Sequence, residues 1–227
     1  MNFKIIITLL ALVAVLAGCS SENETEAYNS TQNTQSAQNP AQTNSSGKSV
    51  EVKPDYDMSG IPFDLSGKPV TVAGITFTPA IQWEDLGPSD MRTASYTYGP
   101  LETDKDKAQL NVYFFGPGQG GTIEANVQRW IKQMALPDGS DANNGAIRYS
   151  KDVNGLTTHV LTLYGIFNEP VGGPMSQKTI PKENYRLIGV IVEAPKGNVF
   201  FKLTGPDYTA KIMVEAFITM INQIQKA

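Results

Sequence analysis

A glycine-rich segment contains the residues most suggestive of local chemistry. Gly118, Gly120, Gly121 and Thr122 come directly before a predicted helix, and Arg129 follows two turns later. Backbone N–H groups at a helix N-terminus attract anions, and an arginine nearby helps to hold a carboxylate or a phosphate. Thr122 stands where a P-loop needs its lysine, so nucleotide binding is not expected. The alternative is a tight strand-to-helix connection with glycines at positive φ.

His159 is the only histidine in the chain and the candidate general base. A serine–histidine–acid arrangement needs a serine and an acid close to it in space, and no serine lies in a Gly-x-Ser-x-Gly turn. One histidine with scattered carboxylates does not supply a zinc site. Asp138 and Asp141 have part of the spacing of a calcium loop without its later glutamate. We predict no catalytic residue, metal or cofactor; an enzyme with a site assembled from distant residues stays open.

Cys19 is the only cysteine, and the sequence before it predicts how it is modified. One positive charge, Lys4, precedes an apolar run over residues 5–16, which is the pattern of a secretory signal. The run is shorter than the roughly 20 residues that a membrane span needs. Residues 16–19, Leu-Ala-Gly-Cys, resemble the lipobox of bacterial lipoproteins. The resemblance implies a signal peptide over residues 1–18 and lipidation of Cys19.

Composition changes sharply after the cysteine. Residues 19–53 are predominantly polar, and such a stretch cannot offset the entropy of ordering. We therefore expect a disordered tether with a reach of roughly 30–35 Å, followed by a single domain over residues 54–227. This domain is held without disulfides, since no second cysteine exists. A net charge of −4 without a basic stripe argues against a nucleic-acid partner.

Strand patterns dominate the rest of the chain. Asn154-Gly155 lies between two alternating apolar runs, which is a strong hairpin signal. Residues 194–197 provide the turn of a second hairpin. The predicted strands cover residues 70–77, 92–98, 108–115, 146–153, 156–167, 185–193 and 198–203.

Two amphipathic helices are predicted, over residues 122–134 and 208–225, with Asp207 or Thr209 as the N-cap of the second. Hairpins with two helices covering one face predict an α+β fold with an antiparallel sheet. The Pro/Gly-rich residues 167–182 are expected to link the hairpins. This link could cover a cleft, contact a partner or be a tolerated insertion.

A family resemblance adds to this fold assignment. Residues 198–217, in which a strand ending in Leu-Thr-Gly-Pro leads into a terminal helix, are typical of the Mog1/PsbP-like α/β/α sandwich. The segments 114–121 and 124–130 resemble a family of bacterial lipoproteins and exported proteins with no assigned activity, and so do residues 88–92, 137–141 and 153–156. The resemblance implies a sandwich with helices flanking an antiparallel sheet. Members of the wider fold serve as non-catalytic accessory or binding modules, but no shared motif carries their interaction residues over.

Together these features predict a lipoprotein anchored to the cell membrane or outer membrane, with its domain on the extracytoplasmic side. Ser20 after the lipidated cysteine permits outer-membrane sorting by analogy. The expected function is a non-catalytic binding or accessory module at the cell envelope, with an envelope protein as partner. An envelope hydrolase is the alternative.

Overall fold

The computed structural model describes residues 63–172 and 178–227. Cys19, the predicted signal peptide and the predicted tether lie outside these ranges. Among the described residues, no helix combines the length and the apolar character that a membrane crossing requires.

The described residues form antiparallel strands and two α-helices. Helix α1 spans Ile123–Ile131 and helix α2 spans Asp207–Asn222. The strands are β1 Val70–Val72, β2 Ile75–Phe77, β3 Glu84–Asp85, β4 Arg92–Tyr98, β5 Ala108–Tyr113, β6 Met134–Ala135, β7 Ile147–Val153, β8 Leu156–Pro170, β9 Thr179–Ala194, β10 Gly197–Pro206 and β11 Gln225–Lys226.

One large sheet organises the domain. Its strands follow the order β3-β4-β5-β10-β9-β8-β6, and β7 also pairs with β8. Every pairing is antiparallel. A small sheet, β1-β2-β11, joins the C-terminal strand to the first hairpin. The predicted α+β class with an antiparallel sheet flanked by helices is confirmed.

The two helices lie on opposite faces of the large sheet. Alternate residues of β9 divide between two apolar clusters. Met213 and Phe217 of α2 pack in the cluster that contains Ile188, Val190 and Val192. The other cluster joins α1 to the alternate face of β9 through Val127, Trp130, Ile131, Leu187 and Ile191. The expectation that both helices cover one face is therefore wrong. Both faces of β9 are apolar, and each needs its own cover.

The hairpin predicted at Asn154-Gly155 is present, and both residues have positive φ, 53° and 77°. Helix α1 ends at Ile131, earlier than predicted, because Met134 pairs with Phe167 and begins β6. The apolar pattern at helical spacing continues to Met134, but Met134 and Ala135 form a strand. The pattern therefore extends past the end of the helix.

The N-cap predicted for α2 is wrong. Pro206 holds the N-cap position and makes no side-chain cap. Instead, Asp104 Oδ2 accepts hydrogen bonds from Thr209 N at 2.8 Å and Thr209 Oγ1 at 2.7 Å. A carboxylate from a distant loop therefore satisfies this helix end, and the sequence around the helix gives no sign of it.

Much of the predicted link over residues 167–182 is strand. β8 continues to Pro170 and β9 begins at Thr179, so the hairpin extends past the rest of the sheet. The first part of β9, before Tyr185, pairs with β8 and not with β10. A strand with one neighbour tolerates proline, which explains how Pro170 and Pro181 fit into this ribbon. Residues 173–177 lie outside the described part of the chain.

Candidate functional site

The glycine-rich segment forms the connection between β5 and α1. Gly118, Gly120 and Gly121 have φ values of 68°, 89° and 80°. A Cβ at Gly120 would lie 2.7 Å from Phe115 and 2.9 Å from Phe200, so packing also requires glycine there. Thr122 is the N-cap of α1, and its Oγ1 accepts from Ala125 N at 3.1 Å. These contacts account for the segment as a tight connection, and its anion-binding role stays a prediction.

Asn126 ties this connection to Arg129. Its buried side chain donates to Gly120 O at 2.7 Å and to Thr122 O at 2.8 Å. Its Oδ1 accepts a hydrogen bond from Arg129 Nη2. Arg129 is thus attached to the side chain that supports the glycine segment. Sequence reasoning missed Asn126, although an asparagine directly before Val127 of the helical apolar stripe is the signal that could have marked it.

One side of α1 and the residues after it carry polar groups at helical spacing. Asn126, Arg129 and Gln133 follow each other at i, i+3 and i+7, so they share this side. Gln133 Oε1 accepts from Lys202 Nζ, which also lies 5.1 Å from the centre of the Phe167 ring. The polar side of α1 therefore meets strand β10 at Lys202.

The sheet continues this polar region across two further strands. Lys202 lies opposite Asn111 of β5, and Asn111 lies opposite Ser95 of β4. Ser95 Oγ donates to Asn111 Oδ1 at 2.7 Å, and both residues are buried. We call these residues the polar strip: Ser95, Asn111 and Lys202 on the sheet, with Asn126, Arg129 and Gln133 along the helix.

The charges of the strip are positive. Burial, with the repulsion of the nearby Arg129 guanidinium, lowers the pKa of Lys202 to about 8. None of the ion pairs formed within residues 63–172 and 178–227 involves Lys202 or Arg129. Some other cations are paired, for example Arg186 with Asp207 at 2.7 Å and Lys182 with Asp106 at 2.9 Å. The strip thus brings together two cations that other side chains have not neutralised.

The carboxylates of Asp106, Asp138 and Asp141 make structural hydrogen bonds. Asp106 Oδ2 accepts from Lys182 and from Tyr185 Oη at 2.7 Å, and these hydrogen bonds lower its pKa. Asp138 and Asp141 each accept hydrogen bonds from residues two positions later, as in a turn. In the part of the chain that the structure describes, no group of three His, Cys, Asp or Glu residues could hold a metal.

His159 has two partners that only the strand register brings to it. Ser150 Oγ of β7 lies 2.8 Å from His159 Nδ1, and Glu193 Oε1 of β9 lies 2.7 Å from His159 Nε2. The serine and the acid bind the opposite ring nitrogens from those of serine proteases. Ser150 and Glu193 are exposed. His159, the candidate base, and Arg129, the candidate anion-binding residue, therefore have different hydrogen-bond partners.

The fold and this site define an antiparallel α+β sandwich with a cationic polar strip beside one helix. No protein-family model matches the sequence, and no curated protein matches it. Among solved structures, the chain is similar to the solution structure of cyanobacterial PsbP (CyanoP) from Synechocystis sp. PCC 6803. The identity is 12%, the match covers 77% of this chain and 100% of that chain, and the TM-score is 0.43. A likeness of this degree transfers neither ligand nor activity.

Proposed function

We propose that the protein is a membrane-anchored lipoprotein whose α+β domain is a non-catalytic binding module at the cell envelope. The lipobox-like residues that end in Cys19, together with the polar stretch to residue 53, support the anchor and the tether. The domain would then stand on the extracytoplasmic side of the cell membrane or outer membrane. The polar strip is the observation that carries the binding role.

The strip is suited to binding because its side chains are already positioned. Asn126 holds Arg129, Gln133 holds Lys202, and Asn111 holds Ser95. Groups fixed in this way lose less side-chain entropy when a ligand arrives. Hydrogen-bonding groups and two cations on a rigid helix and sheet therefore provide orientation and charge for a partner.

The anchor is tested with Cys19→Ala, and Ser20→Ala serves as the neighbouring control. In cells given labelled palmitate, we expect the native chain and the Ser20 variant to carry label and to enter the membrane fraction at mature size. The Cys19 variant should lack label and keep the signal peptide. An unlabelled Cys19 variant that is cut to mature size would contradict the lipobox assignment.

The binding role is tested by crosslinking in intact envelopes, followed by purification and mass spectrometry. We expect a reproducible partner with the native chain and with Lys211→Gln, which removes a paired lysine from α2. Arg129→Gln should lose this partner. An identical set of crosslinked proteins for Arg129→Gln and the native chain would contradict the proposal that the strip is the binding surface.

A hydrolase is the second candidate, and the Ser150–His159–Glu193 arrangement is the observation that favours it. His159 Nδ1 would accept the Ser150 proton while Glu193 stabilises the imidazolium through Nε2–H. Hydrolysis of p-nitrophenyl acetate tests it. Ser150→Ala and His159→Gln should both remove activity, and Ser140→Ala should not. Activity that survives Ser150→Ala and falls in His159→Gln would indicate simple imidazole catalysis and exclude the serine mechanism.

A further inference from the structure

We propose that the polar strip holds an oxyanion group, a carboxylate or a phosphate, between Lys202 and Arg129. This inference names the ligand chemistry of the proposed binding module and rests on that function. The site is distinct from the amides of the glycine segment, because its two cations lie further along α1 and on β10.

Both cations keep hydrogen-bond donors for a ligand. Lys202 has three N–H donors and Arg129 has five. The structure accounts for one donor of each, given to the neutral oxygens of Gln133 and Asn126. These acceptors orient the cations without cancelling their charge. An oxyanion would accept from the remaining donors and supply the counter-charge together.

The positive charge of Lys202 lies in an unfavourable environment. Lys202 is held among Gln133, the Phe167 ring and Arg129, so its charge is partly removed from water and repelled by a second cation. Removing a charge from water costs free energy unless a counter-charge is present. An oxyanion within reach of a guanidinium and an ammonium accepts charge-assisted hydrogen bonds from both.

The groups that face Lys202 come from every neighbouring element. Arg129 of α1 is the charged one, and Gln133 follows the same helix. Asn111 of β5 and Gly189 of β9 are its cross-strand neighbours, and Phe167 of β8 lies against its ammonium group. These facing groups supply no carboxylate, so the charge of a bound anion would meet only cationic and neutral side chains.

The test is calorimetric titration of the full chain, in an uncharged detergent, with sulfate at an ionic strength held constant with chloride. We expect saturable binding that Lys202→Met and Arg129→Gln each weaken by about tenfold or more. Lys211→Gln, which removes a paired lysine on the opposite face, should bind like the native chain. Equal affinity in the native chain and both strip variants would overturn the proposal.

A pH series separates anion binding from a purely structural role of Lys202. Sulfate keeps its charge between about pH 7 and about pH 10, whereas Lys202 loses its proton in this window. Sulfate affinity of the native chain should therefore fall as the pH rises, and that of Lys202→Met should not. An affinity of the native chain that is constant over this window would also overturn the proposal.

The source of the oxyanion is distinguished by competition against sulfate. Displacement by phosphatidylglycerol added to the micelles indicates a lipid headgroup, whereas displacement only by phosphate or acetate indicates a free anion. Displacement by neither would count against the site. If sulfate binds as expected but no crosslinked partner depends on Arg129, the proposed envelope partner fails alone. If a partner depends on Arg129 but sulfate does not bind, the oxyanion inference fails alone.

Discussion

The face of the sheet beneath α1 has two halves of opposite character. Over β8 and β9, the helix packs Val127 and Trp130 onto Leu161, Leu187 and Ile191. Beside this half, the same face carries the polar strip on β10, β5 and β4, next to Phe200, which still belongs to the apolar cluster. The apolar half fixes the position of the helix, and the polar half receives the functional side chains that the helix brings. One side of this short helix thus stabilises the domain by apolar packing, and another side carries the polar groups of the strip.

The two halves differ in what they contribute to folding. Burial of apolar area stabilises the domain by about 25 cal/mol per Å². A partly buried lysine beside an arginine has the opposite effect, because its charge loses hydration without gaining a counter-charge. Substitutions in the two halves should therefore separate stability from binding, and three experiments test this contrast.

The largest effect is expected in the apolar half. Trp130→Ala removes an indole that is 5% exposed and should lower the free energy of unfolding by about 3–5 kcal/mol. Its exposed neighbour in the strip, Arg129→Ala, should change it by less than about 1 kcal/mol. Urea unfolding monitored by circular dichroism measures both. Equal losses in the two variants would break the proposed division between the halves.

A smaller effect is expected at Gly189, which lies beneath the indole. A Cβ there would overlap the six-membered ring of Trp130, so Gly189→Ala should cost about 1–3 kcal/mol. Trp130→Phe removes the overlapping atoms. A double-mutant cycle should therefore show that alanine at position 189 is less harmful in the phenylalanine background. Additive effects would mean that the contact does not set the helix position.

The smallest effect is a pH dependence in the polar half. The unfolded chain keeps the Lys202 proton up to a pKa of 10.5, whereas the folded chain releases it near 8. The unfolded state binds more protons between these values, so the stability of the native chain should rise with pH there, relative to Lys202→Met. Chemical unfolding at several pH values measures the difference.

Lys182 provides the contrast for that experiment. The hydrogen bond to Asp106 raises its pKa, so its contribution to stability should be lost only above 10.5, as the pH rises through the raised value. Relative to Lys182→Met, the stability of the native chain should therefore not rise between pH 8 and 10.5. A rise with the same sign for both lysines would contradict the assigned environments.

Local signals in the sequence predicted the helices and hairpins better than they predicted which strands pair with each other. Asn154-Gly155 predicted its hairpin because both turn positions need positive φ, and the apolar stripe of α1 was visible at helical spacing. The register that brings Ser150 and Glu193 to His159 was not predictable, because it depends on which strands pair. The same reason hid Ser95, Asn111 and Lys202, which lie on three strands far apart in the sequence.

The placement of the helices failed for a related reason. The apolar stripes of α1 and α2 show that each helix packs on something, but neither stripe identifies the face of the sheet that it covers. The continuous apolar run around Val190 indicates that both faces of this strand are covered. A strand buried on both faces lacks the alternation of apolar and polar residues seen in a half-exposed strand. Similarly, the cap of α2 came from Asp104, about 100 residues away in the sequence.

The long β8–β9 hairpin also bears on the order in which the domain folds. β7, β8, β9 and β10 are consecutive in the chain and adjacent in the sheet, so their pairing closes only short loops. Pairing of β10 with β5 spans a much greater separation in sequence and should follow. We expect this four-strand meander to act as the folding nucleus, onto which β5 and α1 dock. The polar strip, which spans the β5–β10 pairing, would then be among the last parts of the molecule to assemble.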